Sequence, residues 1–152
     1  MTVCTQDKAA VLGEIVEGEM RRNECGEIVA VCWGWLAKRY GNVQLEEWVI
    51  MPNHLHGIIV IPGDGMESKL RGGSRTTPTK PLGRLIGAFK TVSAKRVNEM
   101  RNTPGAPLWQ RNYYEHIIRN DDELSKIREY IATNPLRWAQ DPENLNLSGM
   151  EV

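Results

Sequence analysis

Two of the three histidines in this 152-residue chain stand one residue apart. They are His54 and His56, within the run "VIMPNHLHGIIVIPG" at 49–63. Side chains on a strand alternate between faces, so both imidazoles project one way and Leu55 the other. Their Cβ atoms then lie about 6–7 Å apart, at a rise of about 3.3 Å per residue. Two imidazoles so placed can share one divalent ion. Burying them without partners would be costly. The same triplet also fits two satisfied histidines at a sheet edge, so the spacing alone leaves the metal reading open.

A second constellation lies in "REYIATNP" at 128–135. Tyr130 and Asn134 are four residues apart, so a helix stacks them on one face. The Asn134 carbonyl oxygen is a possible third ligand to a hard ion. On periodicity alone the simpler alternative is preferred: a packing tyrosine with its hydroxyl at the surface and an asparagine before a helix-ending proline.

The elements that must position these groups are legible from pattern. "TVCT" at 2–5 reads as a short strand, and 13–28 holds a hairpin turning at Glu17-Gly18. A helix follows, with Ile28, Val31, Cys32, Trp35 and Leu36 at helical spacing, and Gly41-Asn42 stops it. Residues 43–51 alternate as a strand: Val43, Leu45, Glu47 and Val49 face one way, and Gln44, Glu46, Trp48 and Ile50 the other. Pro52-Asn53 turns the chain into a returning strand over 54–61. Residues 62–81, rich in Gly, Pro, Ser and Thr, read as a long mobile loop. A helix is expected over 82–101, a strand over 108–119, and a helix from Asn120, where Asn120 and Glu123 form a capping-box pattern. Leu124, Ile127 and Ile131 form its packing stripe, and Pro135 ends it. The expected class is α+β: a ferredoxin-like β-α-β-β-α-β antiparallel sheet with an extra C-terminal helix carrying the tyrosine. One domain over 1–142 and a short polar tail at 143–152 account for the chain.

Composition is that of an ordinary globular domain, 41% hydrophobic and 25% charged. No apolar run approaches a membrane span, and no secretory leader is evident. Cys4, Cys25 and Cys32 lack the spacing of a zinc site and fit reduced thiols in a cytoplasmic protein. Net charge is zero, but from Lys69 to Arg101 nine bases face one acid. A concentrated basic stripe is the footprint of a polyanion, though a solvated helix face has the same composition.

"VIMPNHLHGIIVI", "LGRLIGAFKTVSAKRVNEMR" and "LWQRNYYEHIIRNDDELSKIREYIATNPLRW" together resemble the single-tyrosine HUH transposases. That family includes insertion-sequence transposases and REP-associated tyrosine transposases, and the resemblance runs from about residue 2 to residue 138. It implies that His54, His56 and Asn134 bind a divalent metal, Mg or Mn. It further implies that Tyr130 is the nucleophile. Such an enzyme cleaves and rejoins single-stranded DNA through a 5′-phosphotyrosine and recognises hairpin-flanked ends. Lys90, Lys95 and Arg96 of the second helix, with Arg71 and Arg75 of the loop, are the candidates to hold the DNA backbone. Tyr113 and Tyr114 are weaker nucleophile candidates, and His116 is either a supporting polar residue or, the preferred reading, a buried strand histidine. A catalytically impaired DNA-binding remnant and a metal-dependent hydrolase without a covalent intermediate are the alternatives. Members of the family work as homodimers, with the tyrosine in trans, or as monomers.

Overall fold

The computed structural model describes residues 1–61 and 79–141, with backbone alone at 79–81. Residues 62–78 of the loop expected at 62–81, with Arg71 and Arg75, and the tail expected at 143–152 lie outside the described residues, while 79–81 already belong to the helix that follows.

The class is α+β with antiparallel sheets. Strand β1 (Thr2–Cys4) leads to a hairpin, β2 (Gly13–Val16) and β3 (Glu19–Arg22). Helix α1 (Glu24–Arg39) precedes β4 (Gln44–Met51) and β5 (His54–Val60), and α2 (Thr79–Arg101) and α3 (Asp121–Ala132) complete the elements, with a 3-10 segment at Pro135–Gln140. The main sheet has the order β1-β5-β4, all antiparallel. The hairpin turns as expected at Glu17-Gly18, both in the left-handed region, with φ 52 and 79.

Register explains how β5 serves two faces. Val3, Leu55 and Ile50 form one row across the sheet, and all three lie in the core. The adjacent rows, Thr2–His56–Val49 and Cys4–His54–Met51, point to the opposite face. The core face is covered by α1 and α2, through Val29, Trp33 and Leu36 on one helix and Leu85, Phe89 and Val97 on the other. Trp33 stands at its centre, edge-on to Phe89 at 5.4 Å and tilted against Trp48 at 6.5 Å. Helix α3 is tied to β4 by an ion pair between Arg128 and Glu46.

Three expectations are corrected. In α1 the buried set is Cys25, Gly26, Val29, Cys32, Trp33 and Leu36, while Val31 is 57% exposed. The apolar stripe is broad, and Trp33 rather than Trp35 claims the centre. In β4 strict alternation fails because the ladder shifts register between Leu45 and Trp48. The irregularity lets both side chains pack against the core.

The third correction concerns 108–119, which forms no strand. Two isolated antiparallel bridges, Thr5↔Trp109 and Thr2↔Tyr114, hold it beside β1. Between them the carbonyls of Gln110, Arg111 and Asn112 all accept hydrogen bonds from Lys90 Nζ, at 2.8, 3.2 and 3.0 Å. Successive carbonyls of an extended strand point to opposite sides, so three of them cannot meet one ammonium. Lys90 thus curls the segment that would have been the fourth strand.

Gly57 is required by close approach: a Cβ there would lie 2.6 Å from the Trp33 ring and 3.4 Å from Trp48 Cβ. Gly57→Ala is expected to cost about 1–3 kcal/mol through overpacking, read as a lower denaturation midpoint at unchanged slope.

Candidate active site

His54 and His56 lie where strand alternation expected them, on the face away from the core. Their Nε2 atoms are 3.0 Å apart and their ring centroids 4.5 Å. His54 is fully buried and His56 partly so. Each Nδ1 is engaged. That of His54 lies 2.7 Å from Asn53 Oδ1, and that of His56 lies 2.7 Å from the Thr2 hydroxyl.

These partners decide tautomers. Asn53 Nδ2 donates to the Lys8 carbonyl at 3.1 Å, which turns Asn53 Oδ1 toward His54. A carbonyl oxygen only accepts, so His54 Nδ1 carries the proton and Nε2 keeps its lone pair. The Thr2 hydroxyl can donate or accept. If it donates, His56 Nε2–H can bond to His54 Nε2. If it accepts, both Nε2 lone pairs face one point, an arrangement that suits a shared cation. Two donors bound about 2.1 Å from one octahedral ion at right angles stand about 3 Å apart, which matches the observed separation. Burial, and then the neighbouring His54, push the His56 pKa down to about 3. Its ring therefore stays neutral at physiological pH.

Helix α3 and the 3-10 segment cover this face. The Tyr130 ring lies edge-on to His56 at 5.4 Å, and the Trp138 ring is 6.1 Å from His54. Tyr130 is 43% exposed, so its ring borders both the histidines and solvent. Asn134, between them in sequence, is buried, and its Oδ1 has no hydrogen-bond partner among the described residues. A buried amide oxygen without a donor is destabilising, and a hard cation would satisfy it. No group of three or more His, Cys, Asp or Glu stands together among the described residues, so a third protein ligand would have to be of another type. The Asn134 amide oxygen is of that type.

The helix forms where its caps predict. Asn120 Oδ1 accepts from Glu123 N at 2.8 Å. The Glu123 carboxylate takes His116 Nε2 at 2.6 Å. His116 is exposed, which corrects the expectation of a buried strand histidine.

Several contributors were not singled out from sequence. Thr2 and Asn53 orient the imidazoles, and Arg137 places its guanidinium 4.9 Å over the Tyr130 ring and donates to the Tyr130 carbonyl at 3.3 Å. A groove of about 1080 Å³ runs from His56 and Tyr130 past Tyr114, Ile117, Arg119 and Lys126. Thr2 and Asn53 read as ordinary strand and turn residues until the register places them against the rings. Arg119, Lys126 and Arg137 lie outside the basic run at 69–101 and stand out by no local signal.

The basic candidates of α2 are not brought to the histidines. That helix packs on the opposite face of the sheet. Lys95 and Arg96 are exposed there, and Lys90 is committed to three carbonyls.

No family model matches the chain. An uncharacterized protein of Haemophilus influenzae is 36% identical over 148 residues, covering 93% of this chain and 81% of its own length. A second protein of that organism, described as "Putative REP-associated tyrosine transposase", is 28% identical over 89 residues, covering 58% of this chain and 47% of its own. The fold is shared with a solved REP-associated tyrosine transposase bound to a REP hairpin, at a TM-score of 0.58 and 18% identity over 90% of this chain. The fold is thus that of a REP-associated tyrosine transposase, and a weaker sequence match carries the same description. The chain spans 64% of that solved chain, and about half of the second relative. Among the described residues no helix is long and apolar enough to cross a membrane.

The two roles expected of α2 lysines separate by measurement. Lys90→Ala should cost about 1–3 kcal/mol, as expected for hydrogen bonds from a charged donor. Lys95→Ala should stay within about 0.5 kcal/mol, as a surface change. Equilibrium denaturation of the two variants checks this.

Proposed function

We propose that this protein is a metal-dependent enzyme that cleaves and rejoins single-stranded DNA through a 5′-phosphotyrosine on Tyr130. His54, His56 and Asn134 would hold the divalent ion, Mg or Mn. The observation that carries the reading is the pair of Nε2 atoms 3.0 Å apart, each imidazole anchored through Nδ1, beside the Tyr130 ring. A hairpin-flanked strand is the proposed substrate, because the solved relative of the same fold is described as bound to a REP hairpin.

The chemistry follows from the groups present. When bound, the ion would offset charge on the scissile phosphate and orient it. The Tyr130 oxygen forms a bond to phosphorus as the bond to the 3′-oxygen breaks, and a proton passes to that oxygen to leave a free 3′-OH. One phosphodiester replaces another, so the reverse attack by a 3′-OH rejoins DNA without ATP. Arg137, stacked on the ring and bonded to the Tyr130 carbonyl, holds the nucleophile in place. Tyr130 lies against the histidine of its own chain, which favours a site complete within one copy over a tyrosine supplied in trans. Lys95 and Arg96, across the sheet from the histidines, would grip DNA away from the cleavage centre.

Incubation with a single-stranded hairpin substrate and manganese tests the proposal. A covalent protein–DNA band is expected, absent in Tyr130→Phe and retained in Tyr114→Phe. Cleavage without a band would mean a water-using hydrolase, and binding alone a non-catalytic DNA-binding protein. Asn53→Ala should weaken manganese binding about 10–100-fold, as loss of a partner to a metal-ligating imidazole does. Manganese titration followed by electron paramagnetic resonance reads this without requiring turnover.

A further inference from the structure

We propose that Tyr114 is a stacking platform for a nucleobase of the strand held at the histidines. The inference rests on the DNA chemistry proposed above and adds a substrate-positioning residue to it.

Register places Tyr114 there. Its N–H and carbonyl exchange 2.8 Å hydrogen bonds with those of Thr2. Residues paired in this way are directly opposite, and their side chains share a face. Thr2 is also opposite His56, and its hydroxyl reaches His56 Nδ1. Tyr114, Thr2 and His56 therefore form one row on the face that carries the histidines. Strands lie about 4.8 Å apart, so Tyr114 stands about 10 Å from His56. A phosphate at the imidazoles leaves its own or an adjacent base within reach of the ring.

The ring is not used for packing. Tyr114 is 69% exposed, although its backbone is fixed on both sides. Its neighbour Tyr113 is the packing residue, set against the core with Lys90 5.9 Å from its ring centroid. Tyr114 opens on the same groove as His56 and Tyr130, and Arg119 and Lys126 stand along it as cations for a phosphate backbone. An exposed aromatic face on a fixed backbone, beside cations in a groove ending at a phosphate-directed site, matches a single strand in both parts.

The test places 2-aminopurine at each nucleotide of the single-stranded part of a hairpin substrate. Wild type should quench its fluorescence at one position, with the quench lost in Tyr114→Ala and kept in Tyr114→Phe. Tyr114→Ala should bind the intact strand roughly 10–100-fold more weakly, the range for losing one base–aromatic stack. On a strand abasic at the quenched position, wild type and Tyr114→Ala should bind alike. Absence of a quench anywhere, equal quenching by Tyr114→Ala, or an undiminished difference on the abasic strand would overturn the assignment. Stacking is read without cleavage, so a missing covalent band counts against Tyr130 alone, and the fluorescence decides the role of Tyr114.

Discussion

Consecutive residues of β5 must meet opposite solvation demands. Leu55 belongs to an apolar core, while His54 and His56 need polar partners. Strand alternation satisfies both in one register only. A slip by one residue would drive imidazoles among Val3, Ile50 and Trp33, and turn Leu55 toward Tyr130. Several fits exclude that slip. Gly57 lies under the Trp33 ring, the Thr2 hydroxyl meets His56, and Asn53 meets His54. Core packing and site geometry are thus two readings of one alignment.

The edge beside β1 is built differently. A regular fourth strand would have satisfied its backbone through the sheet. Instead three carbonyls turn to one ammonium, and Trp109 is anchored by its Nε1–H to Ser93 Oγ at 2.9 Å. A fixed bend replaces ladder regularity, and the bend leaves Tyr114 presented at the rim while Tyr113 is drawn inward. Burial lowers the Lys90 pKa, because taking the ammonium out of water disfavours its charged form.

Much of this was legible in sequence because it depends on local chemistry. The His-Leu-His alternation, the Asn120 cap and the Glu17-Gly18 turn each follow from a few neighbouring residues. What was not legible depends on distant ones. Nothing near Lys90 announces that its partners are carbonyls of 110–112. Nothing in "TVCT" marks Thr2 as the group that orients His56. The bulge in β4 defeats alternation because Leu45 and Trp48 both answer to the core and not to their neighbours. For a similar reason, charge along a chain says little about which face of a sheet it will occupy.

The row through Tyr114, Thr2 and His56 also bears on the order of folding. Thr2 and His56 are 54 residues apart in the chain, and Tyr114 joins them from further still. Contacts this distant close late, because loop entropy must be overcome before they return any stabilisation. Helices and hairpin can form from neighbouring residues, but the row cannot. His56 acquires its orienting hydroxyl only when remote parts of the chain have met, so partly folded chains carry the histidines without the assembled site.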